Sequence, residues 1–174
     1  MYITKLYNVV GDDYSIHQYV MKLFPGNRPL FQVNGSVVTT SSNTVPIGID
    51  NKFIKEISVN SKIGDVHLFT LRISPIKHNG ITGKYTSIDN SLIPDWIKSK
   101  AIVNGFNIED MNIKDEGTRV HEEPSKTKII RKIRSVFVTG MLTVQDTLKF
   151  NNSICNGLSG CKYKYIGFGM LNIF

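Results

Sequence analysis

The chain of 174 residues contains no apolar run approaching the roughly 18–20 residues of a membrane-spanning helix. Its two cysteines, Cys155 and Cys161, exclude a disulfide framework, and no CxxC or Cys/His cluster offers zinc ligands. A small buried or incidental thiol is the ordinary reading of such a pair. His17, His67, His78 and His121 are scattered, none beside a carboxylate at metal-ligand spacing. The expectation is a protein with no metal and no cofactor. The opening MYITKLYNVVGDD turns polar after ten residues without a small-residue cleavage site, so it reads as a strand and not as a signal peptide. A soluble, cytoplasmic protein is expected.

Acidic residues are also scarce. Fourteen Asp and Glu stand against 21 Lys and Arg, a net charge of +7. A basic balance favours polyphosphate partners but also serves solubility, so the distribution of charge matters more than the total. Within Lys126–Arg134 (KTKIIRKIR) the cations Lys126, Lys128, Arg131, Lys132 and Arg134 stand with no acid among them. This is a basic stripe. Hydrophobic residues make up 41% of the chain, enough for a packed core.

Tyr2–Val10 has strand composition and ends at the turn signal Gly11-Asp12-Asp13. Asp12 or Asp13 can cap a helix running to Phe24 and stopped by Pro25-Gly26, with Ile16, Val20, Leu23 and Phe24 on its apolar face. Leu30–Val33 and Ser36–Thr40 flank Asn34-Gly35, a hairpin signal. Phe53–Val59 fits a helix or a strand, and His67–Ile73 alternates as a strand before Pro75 and a glycine-containing loop. In the second half, Pro94–Val103 around Trp96 predicts a helix in which the indole is core, and Phe106–Ile113 a strand. Lys114–Ser125 reads as a loop or hairpin tip, Ile129–Leu142 as a long strand, Val144–Phe150 as a short helix and Tyr165–Ile173 as a closing strand. Each half follows a β-α-β-β-(α)-β order, which predicts an α+β protein of two tandem ferredoxin-like domains, 1–87 and 88–174.

Tyr14 and His17 are three residues apart, about 60° around a helix, so both can converge on one phosphate near the helix N-terminus. The dipole there disfavours imidazolium, and a neutral His can accept a ribose 2′-hydroxyl proton. Tyr14 can then hold a non-bridging oxygen or steer the ribose, and Lys22 can neutralise phosphorane charge if the helix ends early or its side chain curls, since it lies roughly 140° from His17. Helix geometry by itself equally describes a surface His beside a core stripe.

These residues also resemble a known family. Tyr14–Pro25, YSIHQYVMKLFP, is similar to the first-helix signature of the CasE-type CRISPR endoribonucleases, the repeat-processing subunits of type I-E Cascade. MYITKL resembles their opening strand, LRISPIK (Leu71–Lys77) followed by Gly83-Lys84 their mid-chain stretch, and KYIGFGMLNI (Lys164–Ile173) their glycine-rich C-terminal loop and strand. The resemblance implies two ferredoxin-like, RRM-related domains and metal-independent cleavage of precursor CRISPR RNA at a repeat stem-loop. It also implies retention of the product among other Cascade subunits. By position it makes His17 the general base or acid, Tyr14 its partner and Lys22 a phosphate stabiliser. The approach to the loop, GLSGCKYK, departs from the family's glycine spacing.

An A-form stem is read through backbone and shape, which suits a basic hairpin. The RNA-contact candidates are Arg119, Lys126, Lys128, Arg131, Lys132 and Arg134, with Lys162, Lys164, Gly167 and Gly169 in the loop, where glycines let amides approach phosphates. In a strand Lys126, Lys128, Lys132 and Arg134 share one face and Arg131 the other, so one parity is expected to contact RNA. Tyr163 and Tyr165 fit base stacking or packing, and Arg72 and Lys77 fit an interdomain cleft or solvent. Two other readings remain open at this level: a non-catalytic mimic of the subunit acting as an anti-CRISPR or RNA-binding protein, and a generic RNA-binding module. The intact Tyr14/His17 pair argues against a mimic.

Overall fold

The computed structural model describes residues 1–123 and 129–174. Lys126 and Lys128 of the basic stripe lie outside the described residues, as does the side chain of Tyr165. The first unit runs β1 (Tyr2–Leu6), α1 (Asp13–Leu23), β2 (Leu30–Asn34), β3 (Val37–Ser42), a single 3-10 turn at Asn51–Phe53, and β4 (Ile54–Glu56). Its antiparallel sheet has the order β2-β3-β1-β4. That is the ferredoxin-like order with the second helix reduced to one turn, so the ambiguous 53–59 stretch is a turn followed by a short strand. Ile16 and Val20 of α1, with Phe24 at its C-cap, bury against Leu6, Phe31 and Val38 of the sheet. Each such side chain contributes about 1.5–3 kcal/mol on burial.

The second unit begins earlier than the sequence pattern indicates. β5 (Val66–Ile73) is followed by a small hairpin, β6 (Ile76–His78) and β7 (Tyr85–Ser87), then α2 (Ile93–Val103), β8 (Phe106–Glu123), β9 (Ile129–Val144), α3 (Thr147–Asn156) and β10 (Leu171–Ile173). The larger sheet is ordered β10-β5-β9-β8, so β5-α2-β8-β9-α3-β10 makes a full βαββαβ unit. The strand expected to close the first half instead opens the second. Alternation shows that β5 has an inward face, formed by Phe69, Leu71 and Ile73, but not which sheet completes it. The choice is made by eight residue pairs with distant β9, from Val66↔Thr143 to Ile73↔Val136.

The expected loop at 114–125 is a strand as far as Glu123. β8 and β9 stay paired from Phe106↔Val144 to Glu123↔Ile129, with register shifts at Ile108/Asp110 and Asp115/Gly117. These bulges and the polar composition of the arm erase the alternation that signals a strand. The closing strand is shorter than expected, because Lys164–Ile166 forms a 3-10 turn and Gly167 and Gly169 adopt φ of +97° and +75°. Trp96 packs half-buried against the second core, as expected.

Arg72 of β5 joins the two units. Only 6% exposed, it donates from Nε and Nη2 to Glu116 at 2.7 and 2.8 Å and from Nη1 to the carbonyl oxygen of Val33 in β2. The Asn172 amide in β10 donates to the Gln32 side chain in β2.

Candidate active site

Asp12 caps α1, its carboxylate accepting the Ser15 N–H at 2.7 Å. The cap fixes the helix start, and with it Tyr14 and His17, both half-buried and one turn apart beside the core stripe. The His17 ring lies against Phe31 of β2, with centroids 6.3 Å apart and planes 26° from parallel. On another side it meets His121 of β8 edge-on at 6.1 Å and 71°. His121 also contacts the Tyr14 ring at 5.8 Å, and it is only 2% exposed.

β8 reaches this helix because the β8–β9 arm extends well beyond the rest of its sheet. Arg119 anchors the arm through a 2.6 Å ion pair with Asp13 in the first turn of α1. His121 is opposite Arg131 in register, and Arg119 is opposite Ile133. The odd-numbered face of the arm is therefore the one turned towards α1.

His17 opens onto a cleft of about 680 Å³. Arg28, Arg131, Lys162, Lys164 and Tyr163 line it with His17, and no described lining residue is acidic. Four cations around an imidazole suit a phosphodiester. Among the described residues, no group of three or more His, Cys, Asp or Glu side chains is placed to hold a metal ion. No described helix is long and apolar enough to cross a membrane.

The sequence matches the CRISPR associated protein family over residues 5–174. The chain belongs to that family. Comparison with curated proteins finds no match. Among solved structures this family member superposes on the CRISPR endoribonuclease Cse3 bound to a 19-nucleotide RNA with a TM-score of 0.82, at 18% identity over the whole of both chains. It superposes on the CRISPR-associated protein Cas6e of Escherichia coli K-12 with a TM-score of 0.78, at 24% identity over 99% of this chain and 98% of that one. Thermus thermophilus Cse3 bound to an RNA representing a pre-cleavage complex gives 0.76 at 18% identity, over 99% and 98% of the two chains. At these identities the likeness establishes the two-domain ferredoxin-like fold.

The remaining candidates of this family member divide in two. Arg131 and the loop lysines come together at His17. Lys162 holds its ammonium 3.5 Å from the centre of the Tyr85 ring and 5.2 Å from that of Tyr163. Lys164 donates to the carbonyl oxygens of Asn156 and Gly157 at 3.1 and 3.0 Å, ending α3, and burial pulls its pKa below the usual lysine value. The other candidates lie elsewhere or are otherwise engaged. Lys22 is exposed on the last turn of α1 and is not among the lining residues. Lys132 is exposed on the opposite face of the arm. Arg134 is a strut, donating to Asp115 at 2.8 Å, to the Ile88 carbonyl at 2.9 Å and to Asn90. Arg119 is committed to Asp13.

The glycine-rich loop is packed inward. The Gly169 N–H donates to the Arg72 carbonyl at 2.7 Å, and a Cβ at Gly169 would lie 3.2 Å from Cys161 Cβ. Gly167 sits close against the Phe31 ring. The glycines thus let the 3-10 turn that bears Lys164 settle over α1 and β2. Cys161 lies beneath that turn, and burial pushes its thiol up to about 11.

Sequence reasoning missed His121, Arg28 and Tyr85. His121 left a faint signal, since it alternates with Arg119 at strand spacing. Arg28 and Tyr85 left none, because each reaches its cleft from a loop or a short hairpin.

Proposed function

We propose that this family member is an endoribonuclease that binds a CRISPR repeat stem-loop and cuts precursor CRISPR RNA beside it, with His17 as the acid/base residue. The observation that carries this reading is the position of His17 on the wall of a cleft lined by Arg28, Arg131, Lys162 and Lys164, with no acid among its described lining. Relatives of the same fold are named as CRISPR endoribonucleases bound to RNA, and one as part of an Escherichia coli Cascade bound to target DNA. Those names support an RNA substrate and a place among Cascade subunits.

The reaction requires one proton taken and one given. His17 accepts the proton of the ribose 2′-hydroxyl as its oxygen bonds to the adjacent phosphorus. The P–O5′ bond breaks with its electron pair on O5′, which takes up a proton from water while protonated His17 returns its own to solvent, leaving a 2′,3′-cyclic phosphate and a 5′-hydroxyl. Arg131 and Lys162 offset charge on the pentacoordinate phosphorus, a role that fits them better than Lys22, which is not among the lining residues. Tyr14, one turn from His17, steers the ribose or a non-bridging oxygen. None of these steps needs a metal ion.

The test is single-turnover cleavage of a repeat-hairpin RNA in EDTA. Wild type is expected to yield a 2′,3′-cyclic phosphate, and His17→Ala to lose about 10²–10⁴-fold in rate while still binding the hairpin. Intact RNA with wild type, or equal cutting by the variant, refutes the assignment.

A further inference from the structure

His121 has no role in the chemistry described so far, yet it is nearly fully buried and touches both Tyr14 and His17. We propose that His121 is a positioning residue that fixes the plane of the His17 imidazole and ties it to the docking of the β8–β9 arm. The catalytic consequence rests on the endoribonuclease reading above; the positioning itself does not.

The argument begins with the torsions. The terminal torsion of a histidine is broad and roughly two-fold, so an imidazole at the edge of a helix is not held by its own rotamer preferences. Phe31 lies along one side of the His17 ring, near parallel, and covers one face of it. His121 approaches edge-on at 71°, and a ring held on two sides by rings at different angles has far less freedom. A general base loses rate steeply when misaligned.

The two holding rings differ in origin. Phe31 belongs to the first core with α1, and stays in place whenever that domain is folded. His121 belongs to the other domain, on an arm that Arg119, two residues away on the same face, clamps to Asp13. Its cross-strand partner is Arg131, which lines the cleft. One face of one arm thus carries the clamp, the positioning ring and a cleft cation. A base whose alignment depends on that arm is set correctly when the RNA-contacting arm is seated on α1.

The test compares His121→Ala with His121→Phe, which restores a ring of similar bulk. Single-turnover cleavage of the repeat hairpin by His121→Ala is expected to fall about 10- to 100-fold, with hairpin affinity unchanged and the protein still folded at the assay temperature, and His121→Phe to recover most of that rate. Proton NMR is the second readout. NOEs from the His17 ring protons to the Phe31 ring should weaken in His121→Ala and recover in His121→Phe, while those from exposed His78 to Tyr85 stay unchanged. Wild-type cutting by His121→Ala, a rate loss matched by lost RNA affinity, or unchanged His17–Phe31 NOEs overturns the proposal. If wild type itself leaves the hairpin intact, the endoribonuclease reading fails and the His17–Phe31 NOEs still decide the positioning role. Should the alanine variant not fold, His121→Gln, which has polar bulk without a ring, takes its place.

Discussion

The buried charge at Arg72 shows how one side chain can serve both fold and site. Its guanidinium holds Glu116, at the second bulge of the arm, and the β2 carbonyl of Val33, while its own carbonyl holds Gly169 of the C-terminal loop. Burial by itself would raise the Glu116 pKa. The hydrogen bonds from Arg72 and Ser135 and the Arg72 charge outweigh it and hold the carboxyl below its ordinary value of 4.5. A depressed carboxylate contributes stability above its unfolded pKa and loses it as pH falls through the folded one. Urea titrations should therefore find Glu116→Gln less stable than wild type by about 1–3 kcal/mol near neutrality, with the gap narrowing below about pH 4.5. A gap that does not change with pH would show that the pair adds no charge-dependent stability. LRISPIK marked the segment in the sequence, but its arginine read equally as solvated. Its burial depends on a hairpin 39 residues upstream and a bulge 44 residues downstream.

Among the elements, the β8–β9 arm is the one on which the candidate site depends. It brings Arg119, His121 and Arg131 to a helix more than 100 positions earlier in the chain. Gly140 sits at its root, where a Cβ would lie 2.1 Å from the Asp110 carbonyl oxygen and 2.9 Å from Met111 Cα, beside the first bulge. Neither neighbour is a flexible side chain, so backbone must shift to admit even a methyl group. Gly140→Ala is expected to cost on the order of 2–3 kcal/mol and to raise amide exchange along the arm. Unchanged melting and exchange would show that the bulge relaxes freely. The helices and the β2–β3 hairpin were legible because cap residues, apolar spacing and Asn-Gly are local signals. The arm was not, because bulges and charged residues removed the alternation and its outer half is held by pairing with β9 and by docking on α1.

For the whole molecule, the net charge of +7 includes a local cluster at the candidate site. Four of the cations face one cleft that contains no acid among its described lining. RNA affinity should therefore fall linearly with salt on logarithmic axes, and Arg131→Ala should flatten the slope by about one counterion. Lys132→Ala, on the other face of the arm, should change it less. Equal slopes for the two variants would show that facing the cleft does not select which cations meet the phosphates.

The sequence by itself determined the composition of a packed α+β chain, the capped first helix with Tyr14 and His17 on it, the basic stripe, and the order of elements that a ferredoxin-like repeat requires. These are properties of neighbouring residues: propensity, spacing and local charge. Only the tertiary structure decided that β5 opens the second sheet, that the arm's odd face meets α1, that the loop glycines pack inward, and that His121 lies against His17. Each of those outcomes depends on which distant surface buries a given side chain, and local pattern carries no information about distant partners.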